Sequence, residues 1–247
     1  MATKILKSLF ILILSQFFLS CASDEKNAST PEGLFKIAKE FDDAERFEVA
    51  IQKYAEIKNK FPYSSIATAA ELAIADVHYK RESYAEAQIS YQNFRDLHPR
   101  NSKIDYVIFR TGLSFYMQLP ETIDRDLTLA SDAIYHFNEV IKNYPNSPYI
   151  KEAKENREKA ILMLAEKELY VADFYLREKK YEAALIRYEN VLSQYSGHGL
   201  DPKALLGAIR AASLANMPTK KKSYSNELST KYSQSEEAKM LKTEGLE

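Results

Sequence analysis

The sequence predicts an all-α protein, an α-solenoid of about five helix-turn-helix repeats. Three observations carry this. One pattern is written three times at a single spacing: Ala38–Phe41–Phe47–Ala50–Tyr54–Ile57–Pro62, Ala75–His78–Tyr84–Ala87–Tyr91–Phe94–Pro99, and Ala172–Tyr175–Tyr181–Ala184–Tyr188–Val191–Ser196. In each copy the offsets from the first alanine are 3, 9, 12, 16, 19 and 24. Only 6 Gly and 8 Pro punctuate the 247 residues, and the stretches between them are rich in Ala, Glu, Lys and Leu, which favours helix. Finally, 17 Tyr and 12 Phe with no Trp suit repeats whose packing positions are aromatic.

These offsets are the small/aromatic frame of the tetratricopeptide repeat, a unit of roughly 34 residues. Small residues (Ala38 and Ala50, Ala75 and Ala87, Ala172 and Ala184) let paired helices approach closely. The aromatics plug the next repeat, and Pro62, Pro99 and Pro145 stop each second helix. Such units cannot bury their apolar faces alone, so they stack and leave a concave binding surface.

Element by element, Thr30-Pro31 opens the first helix with a capping threonine and a proline at the first helical position. Ser147-Pro148 and Asp201-Pro202 are expected to repeat the device. Repeat one covers about 31–64 and repeat two about 68–101. A third keeps Ala130–Ala133–Phe137–Val140–Pro145, with Gly112 and Phe115 in its first helix and a 9-residue insertion between its halves. Before the fourth, 14 extra residues fall in the charge-dense run Lys151–Lys159, whose Lys151/Glu155, Lys154/Glu158 and Glu155/Lys159 pairs fit a solvated helix face. A degenerate fifth copy occupies 202–235, with Leu228 and Tyr232 in frame, and 236–247 reads as a tail.

The first 20 residues have the make-up of an export signal: Lys4 and Lys7, then an unbroken apolar run Leu9–Leu14, then Phe17-Phe18-Leu19-Ser20 ahead of Cys21. A small residue before the only cysteine resembles the lipobox of bacterial lipoproteins, in which that cysteine is lipidated. The alternative is an uncleaved anchor, but Ser15 and Gln16 interrupt a stretch already short against the roughly 20 residues of a bilayer span. Residues 21–30 then form the lipidated cysteine and a polar tether. A cysteine used this way leaves no thiol chemistry. Ala22 in place of aspartate favours, in such lipoproteins, sorting to the outer membrane. Losing the leader moves the net charge from -1 to -3, which is not the profile of a nucleic-acid binder.

Catalytic and metal constellations are not expected. His78, His98, His136 and His198 share no ligand spacing, and His78 stands where sister repeats place a packing aromatic. There is no phosphate loop or nucleophile elbow. Asp42-Asp43 and Asp124–Asp126 read as caps or solvated charge, and Lys220–Lys222 is a weak sign of anionic headgroups. No cofactor is implied. The groove-facing positions are Phe35, Lys39 and Asp42 in repeat one, Leu72, Asp76 and Tyr79 in repeat two, and Tyr106, Phe109 and Tyr116 in repeat three. Such a groove suits an extended peptide with apolar side chains. The competing reading, in which half of these aromatics are packing between repeats, stays open.

The irregular third and fourth repeats carry a more specific resemblance. Lys103-Ile104-Asp105-Tyr106-Val107 with Gly112-Leu113, Asp124-Arg125-Asp126-Leu127, and Tyr144-Pro145-Asn146-Ser147 are similar to the YfiO (BamD) family of outer-membrane barrel-assembly lipoproteins. Leu164-Ala165-Glu166, Val171-Ala172, Tyr175 and Arg187 resemble the same family's fourth repeat, and Ser196 departs from its proline. The resemblance implies a non-enzymatic scaffold on the periplasmic face of the outer membrane, held by a lipid on Cys21. Repeats 1–2 (31–101) would meet unfolded β-barrel substrates, with Phe61 and Tyr63 added to the groove. Repeats 3–5 (102–235) would hold the POTRA domains of a BamA-type insertase through Asp124, Arg125, Asp126 and Arg187, alongside other lipoproteins of the machinery. Two other classes stay open: a generic periplasmic repeat adaptor in cell-wall or Tol–Pal coordination, and a helical-repeat hydrolase with Asp42 and Asp76 as its only candidate acids.

Overall fold

The computed structural model describes residues 29–246. The expected leader, Cys21 and most of the tether lie outside them. Among the described residues there are eleven helices and no strand. The chain forms two compact units, 1–114 and 115–247, so the boundary falls inside a helix and not at the expected 101/102. Unit 1 holds α1 (Pro31–Asp43), α2 (Phe47–Lys60), α3 (Ser65–Lys80), α4 (Tyr84–Leu97) and most of α5 (Ile104–Tyr116). Unit 2 holds the end of α5, then α6 (Thr128–Asn143), α7 (Ile150–Arg177), α8 (Tyr181–Gln194), α9 (Asp201–Leu214), α10 (Pro218–Lys231) and α11 (Glu236–Thr243).

The repeat frame becomes a seam of vanishing exposure. Ala38, Ala50, Ala75, Ala87, Ala130, Ala133, Ala172 and Ala184 are all 0% exposed. The tyrosine at offset 16 and the apolar residue at offset 19 fill the space beside them: Tyr54 with Ile57, Tyr91 with Phe94, Tyr188 with Val191. In the fifth repeat Ser225 and Leu228 hold those two places, both buried. Gly207 serves the same close approach, since a Cβ there would stand 2.3 Å from Cε1 of Tyr188.

Four helix pairs turn on the same device. Glu45, Glu82, Lys179 and Asn216 each adopt a left-handed backbone, φ 58°, 62°, 60° and 54°. The next residue's N–H then reaches a carbonyl five positions back: Arg46 to Phe41 at 2.8 Å, Ser83 to His78 at 3.0 Å, Lys180 to Tyr175 at 2.9 Å, Met217 to Ala212 at 2.8 Å. This closes the helix end in the way usually given to glycine. No glycine marks these turns in the sequence.

Several local expectations are corrected. Thr30 does cap α1, accepting from Gly33 N–H at 3.1 Å with Pro31 first in the helix. Ser147 does not cap α7, which begins at Ile150; its hydroxyl accepts from Tyr149 N–H at 3.3 Å in the preceding turn. Asp201 is the first residue of α9, and its carboxylate turns back to accept from Ser196 Oγ at 2.6 Å and Gly197 N–H at 2.9 Å. Serine in the place of the framework proline is therefore the donor that closes this loop. The 14 extra residues lie within α7, a single helix of 28 residues, where Ala153, Asn156 and Ala160 are buried and Glu158 pairs with His198 at 2.6 Å. The expected tail is α11: Ser235 caps it through Ala238 N–H, and Ala238 and Leu241 pack with Leu205, Leu206, Ile209 and Leu228.

In unit 1 one carboxylate ties three helices. Glu71 of α3 receives Lys58 from α2 at 3.0 Å and His98 from the end of α4 at 2.6 Å. Burial pushes the Glu71 carboxyl up, but the His98 and Lys58 hydrogen bonds outweigh it and hold it below its ordinary 4.5.

Two predictions follow from this architecture. Glu82→Gly is expected to raise the thermal midpoint, because the left-handed penalty of about 1–2 kcal/mol exceeds the extra unfolded-state freedom of glycine, about 0.4–1 kcal/mol. A lower midpoint would show that the Glu82 side chain contributes more than its backbone costs. Glu71→Gln is expected to destabilise by roughly 1–2 kcal/mol at neutral pH. A depressed carboxylate contributes stability above its unfolded pKa and loses it as pH falls through the folded value, so the gap between variant and wild type should close below about pH 4.5. Denaturant melts at pH 7 and pH 4 measure it, and a constant gap would refute it.

Candidate functional site

The positions of unit 1 expected to face a groove separate into two sets. Asp76 and Tyr79 sit one turn apart on α3, and Tyr106 and Arg110 one turn apart on α5. The Asp76 carboxylate accepts from the hydroxyls of Tyr91 at 2.6 Å and Tyr106 at 2.7 Å. Arg110 Nε donates to the Tyr91 hydroxyl at 3.2 Å, and the guanidinium lies 3.5 Å from the centroid of the Tyr79 ring. Tyr79 also meets Tyr84 edge-on at 5.1 Å. Burial first, and the Asp76 charge second, push Tyr91 and Tyr106 well above the ordinary tyrosine range. Both hydroxyls therefore stay protonated and donate.

The remaining positions are less of a groove. Leu72 is 5% exposed and belongs to the core, which corrects its placement as a groove residue. Phe109, at 2%, is likewise packing, and Tyr116 packs in unit 2 beside Leu127, Ala130 and Ala160. Phe35 lies with its ring 5.1 Å from Tyr54, and Phe61 packs on the core of α1–α3. Asp42 is buried and pairs with Lys80 of α3 at 2.6 Å, so it binds two repeats together. Lys39 is exposed, and Tyr63 is fully so at 101%.

In unit 2 two of the four candidates, Arg125 and Arg187, contact neighbouring residues of α7. Asp124, Arg125 and Asp126 are exposed on the loop before α6. The loop is anchored inward by Leu119, Ile123 and Leu127, and outward by Lys167, whose ammonium donates to the Arg125 carbonyl. Asp126 accepts from Thr128 N–H at 2.9 Å and Thr128 Oγ1 at 2.6 Å, which closes the start of α6. Those hydrogen bonds hold its carboxyl low; at Asp124 the Thr122 hydroxyl does the same. Arg187 of α8 donates to Glu168 at 3.2 and 3.3 Å, and Asn190 adds a longer contact at 3.5 Å. Arg125 and Arg187, 62 positions apart in the chain, are thus held by the adjacent Lys167 and Glu168.

Sequence reasoning missed Arg110 and took Tyr91 for packing alone. A signal was present: an aspartate one place after the small residue, followed 15 residues later by the framework tyrosine. It occurs as Asp76/Tyr91 and again as Asp173/Tyr188, where the hydroxyl donates at 2.5 Å. Among the described residues no group of acids and histidines is arranged to hold a metal.

The chain is similar to known proteins over most of its length. The family described as YfiO, outer membrane lipoprotein, matches residues 27–228. A relative from Rickettsia prowazekii, the outer membrane protein assembly factor BamD, is 25% identical over 236 residues, covering 93% of this chain and 92% of the relative. The protein of that name from Vibrio cholerae is 27% identical over 195 residues, 75% of this chain and 81% of its own length. The one from Neisseria meningitidis is 28% identical over 173 residues, 66% of this chain and 65% of its length, so the match spans just under two thirds of that relative. The chain belongs to the YfiO family of outer membrane lipoproteins.

Proposed function

We propose that this chain is an outer-membrane protein assembly factor, a non-enzymatic scaffold with one surface for substrate and another for a fixed partner. The observation that carries the reading is the likeness to proteins named as BamD assembly factors over as much as 93% of the chain. The geometry supports a division of labour. Unit 1 offers an aromatic and charged cluster at Asp76, Tyr79, Tyr106 and Arg110, on the face expected to line a groove and suited to an extended segment of an unfolded barrel protein. Unit 2 offers exposed charge held on a rigid base: Asp124, Arg125 and Asp126 on a pinned loop, and Arg187 on α8. This surface would meet the POTRA domains of a BamA-type insertase, with other lipoproteins of the machinery alongside. Among the described residues no helix is long and apolar enough to cross a membrane. A lipid on Cys21 would supply the attachment to the periplasmic face of the outer membrane.

A tagged copy recovered from gently solubilised membranes should bring a BamA-type insertase in stoichiometric amount. Depleting the protein should lower outer-membrane barrel levels and leave other lipoproteins in place. Recovery of wall or Tol–Pal proteins in place of the insertase, with barrels unchanged, would favour the generic adaptor. On the partner face, Arg187→Glu should cut insertase recovery by roughly tenfold through charge reversal. The Arg187 side chain is 40% exposed, so loss of its pair with Glu168 should cost at most about 1 kcal/mol of stability. Full recovery with the variant would move the interface away from α8.

A further inference from the structure

Arg110 is a half-buried cation that makes no direct ion pair with a carboxylate among the described residues; Asp76 reaches it only through the Tyr91 hydroxyl. Tyrosine rings surround it, with centroids at 3.5 Å for Tyr79, 5.8 Å for Tyr106 and 5.9 Å for Tyr91. Its Nε is held by the Tyr91 hydroxyl, which fixes the plane of the fork. The carboxylate of the cluster, Asp76, accepts both tyrosine hydroxyls on Oδ1 and makes no direct ion pair with it. Rings supply attraction for a cation but cannot fill the in-plane N–H positions of a guanidinium.

Unit 2 contains a related arrangement, the same Asp/Tyr pair near an arginine, with the arginine's fork filled. Asp173 accepts from Tyr188 at 2.5 Å, as Asp76 does from Tyr91. Arg210, on the first helix of the next repeat, feels both Asp173 and Tyr188. There the fork is closed by Glu244, just past α11, whose two carboxylate oxygens receive Nε at 2.9 Å and a terminal nitrogen. A carboxylate on a chain segment laid beside the repeat is thus the group this molecule itself places on such an arginine.

We propose that Arg110 is a receptor for a carboxylate on an extended peptide lying in the unit 1 groove. The inference rests on the reading of that groove as a substrate surface. Tyr79 and Tyr106 would flank the chain on either side of the fork, and Asp76 would keep Tyr91 and Tyr106 oriented. The carboxylate can belong to an acidic side chain or to the peptide's C-terminus, since both offer the two oxygens that match a guanidinium. A lysine cannot replace the planar fork.

The test uses four versions of a short peptide of alternating valine and threonine with one central residue varied. The central residue is Asp or Asn, and the C-terminus is free or amidated. Binding to the whole protein is read by fluorescence anisotropy for wild type, Arg110→Gln and Arg110→Lys, with thermal melts confirming that each variant is folded. Wild type should lose roughly tenfold in affinity when the recognised carboxylate is neutralised, and which peptide shows the loss identifies the source. That preference should vanish in Arg110→Gln and shrink in Arg110→Lys, which serves alone if the glutamine variant does not fold. Equal binding of all four peptides by wild type overturns the proposal and leaves the groove standing, as does a preference that survives both substitutions. Failure of every peptide to bind wild type removes the groove reading and the proposal with it.

Discussion

The close approach of paired helices at alanine is the constraint on which the rest of this structure depends. With Ala75 and Ala87 at 0% exposure, α3 and α4 come near enough for the Tyr91 ring to be wholly covered and its hydroxyl to reach Asp76. The same contact recurs at Ala172, Ala184, Tyr188 and Asp173. A larger residue at any of these alanines would overpack the seam by about 1–3 kcal/mol. It would also move a hydroxyl away from its carboxylate. Packing and polar chemistry here are one arrangement: the tyrosine is the plug, and its tip is a buried donor to the aspartate of the preceding helix.

The loops are built to hold that arrangement with little glycine. Left-handed turns at Glu45, Glu82, Lys179 and Asn216 close helices by backbone hydrogen bonds alone. Other connections are held by side chains: Asp201 on Ser196 and Gly197, Asp126 on Thr128, Lys167 on the Arg125 carbonyl. Between helices, single carboxylates collect two cations or donors, as Glu71 does from Lys58 and His98, and Glu189 from Lys220 and Tyr224. The two binding surfaces proposed for this chain would need such rigidity. Binding then spends little free energy on ordering the receptor.

The two surfaces have different physical character. In unit 1, charge is embedded among aromatic rings and partly withdrawn from water, which strengthens recognition of a specific group at close range. In unit 2, the acidic loop and Arg187 stand in solvent, where charge governs encounter and orientation more than depth of binding. That contrast is what the proposed function asks for, a chemically varied substrate met by unit 1 and a constant partner met by unit 2.

The helical class, the repeat period and the seam were legible in the sequence by itself. They follow from periodic burial, which the offsets of Ala, Tyr and Pro record directly. Family likeness was legible for the same reason, since it is carried by contiguous blocks such as Tyr144–Ser147. The turns were mostly not, because a left-handed residue announces itself as glycine or asparagine, and three of these four are glutamate or lysine. Helix α11 could have been read from Ser235, its two glutamates and the Ala238/Leu241 spacing, had its apolar partners Leu205 and Ile209 been known. Which groove residues are available for binding was decided only by the tertiary structure. Leu72 and Tyr79 are both apolar positions on one face of α3, and sequence assigns them one role. Packing buries the first, while the second lies against Arg110, a residue 31 positions away that only the neighbouring helix brings to it.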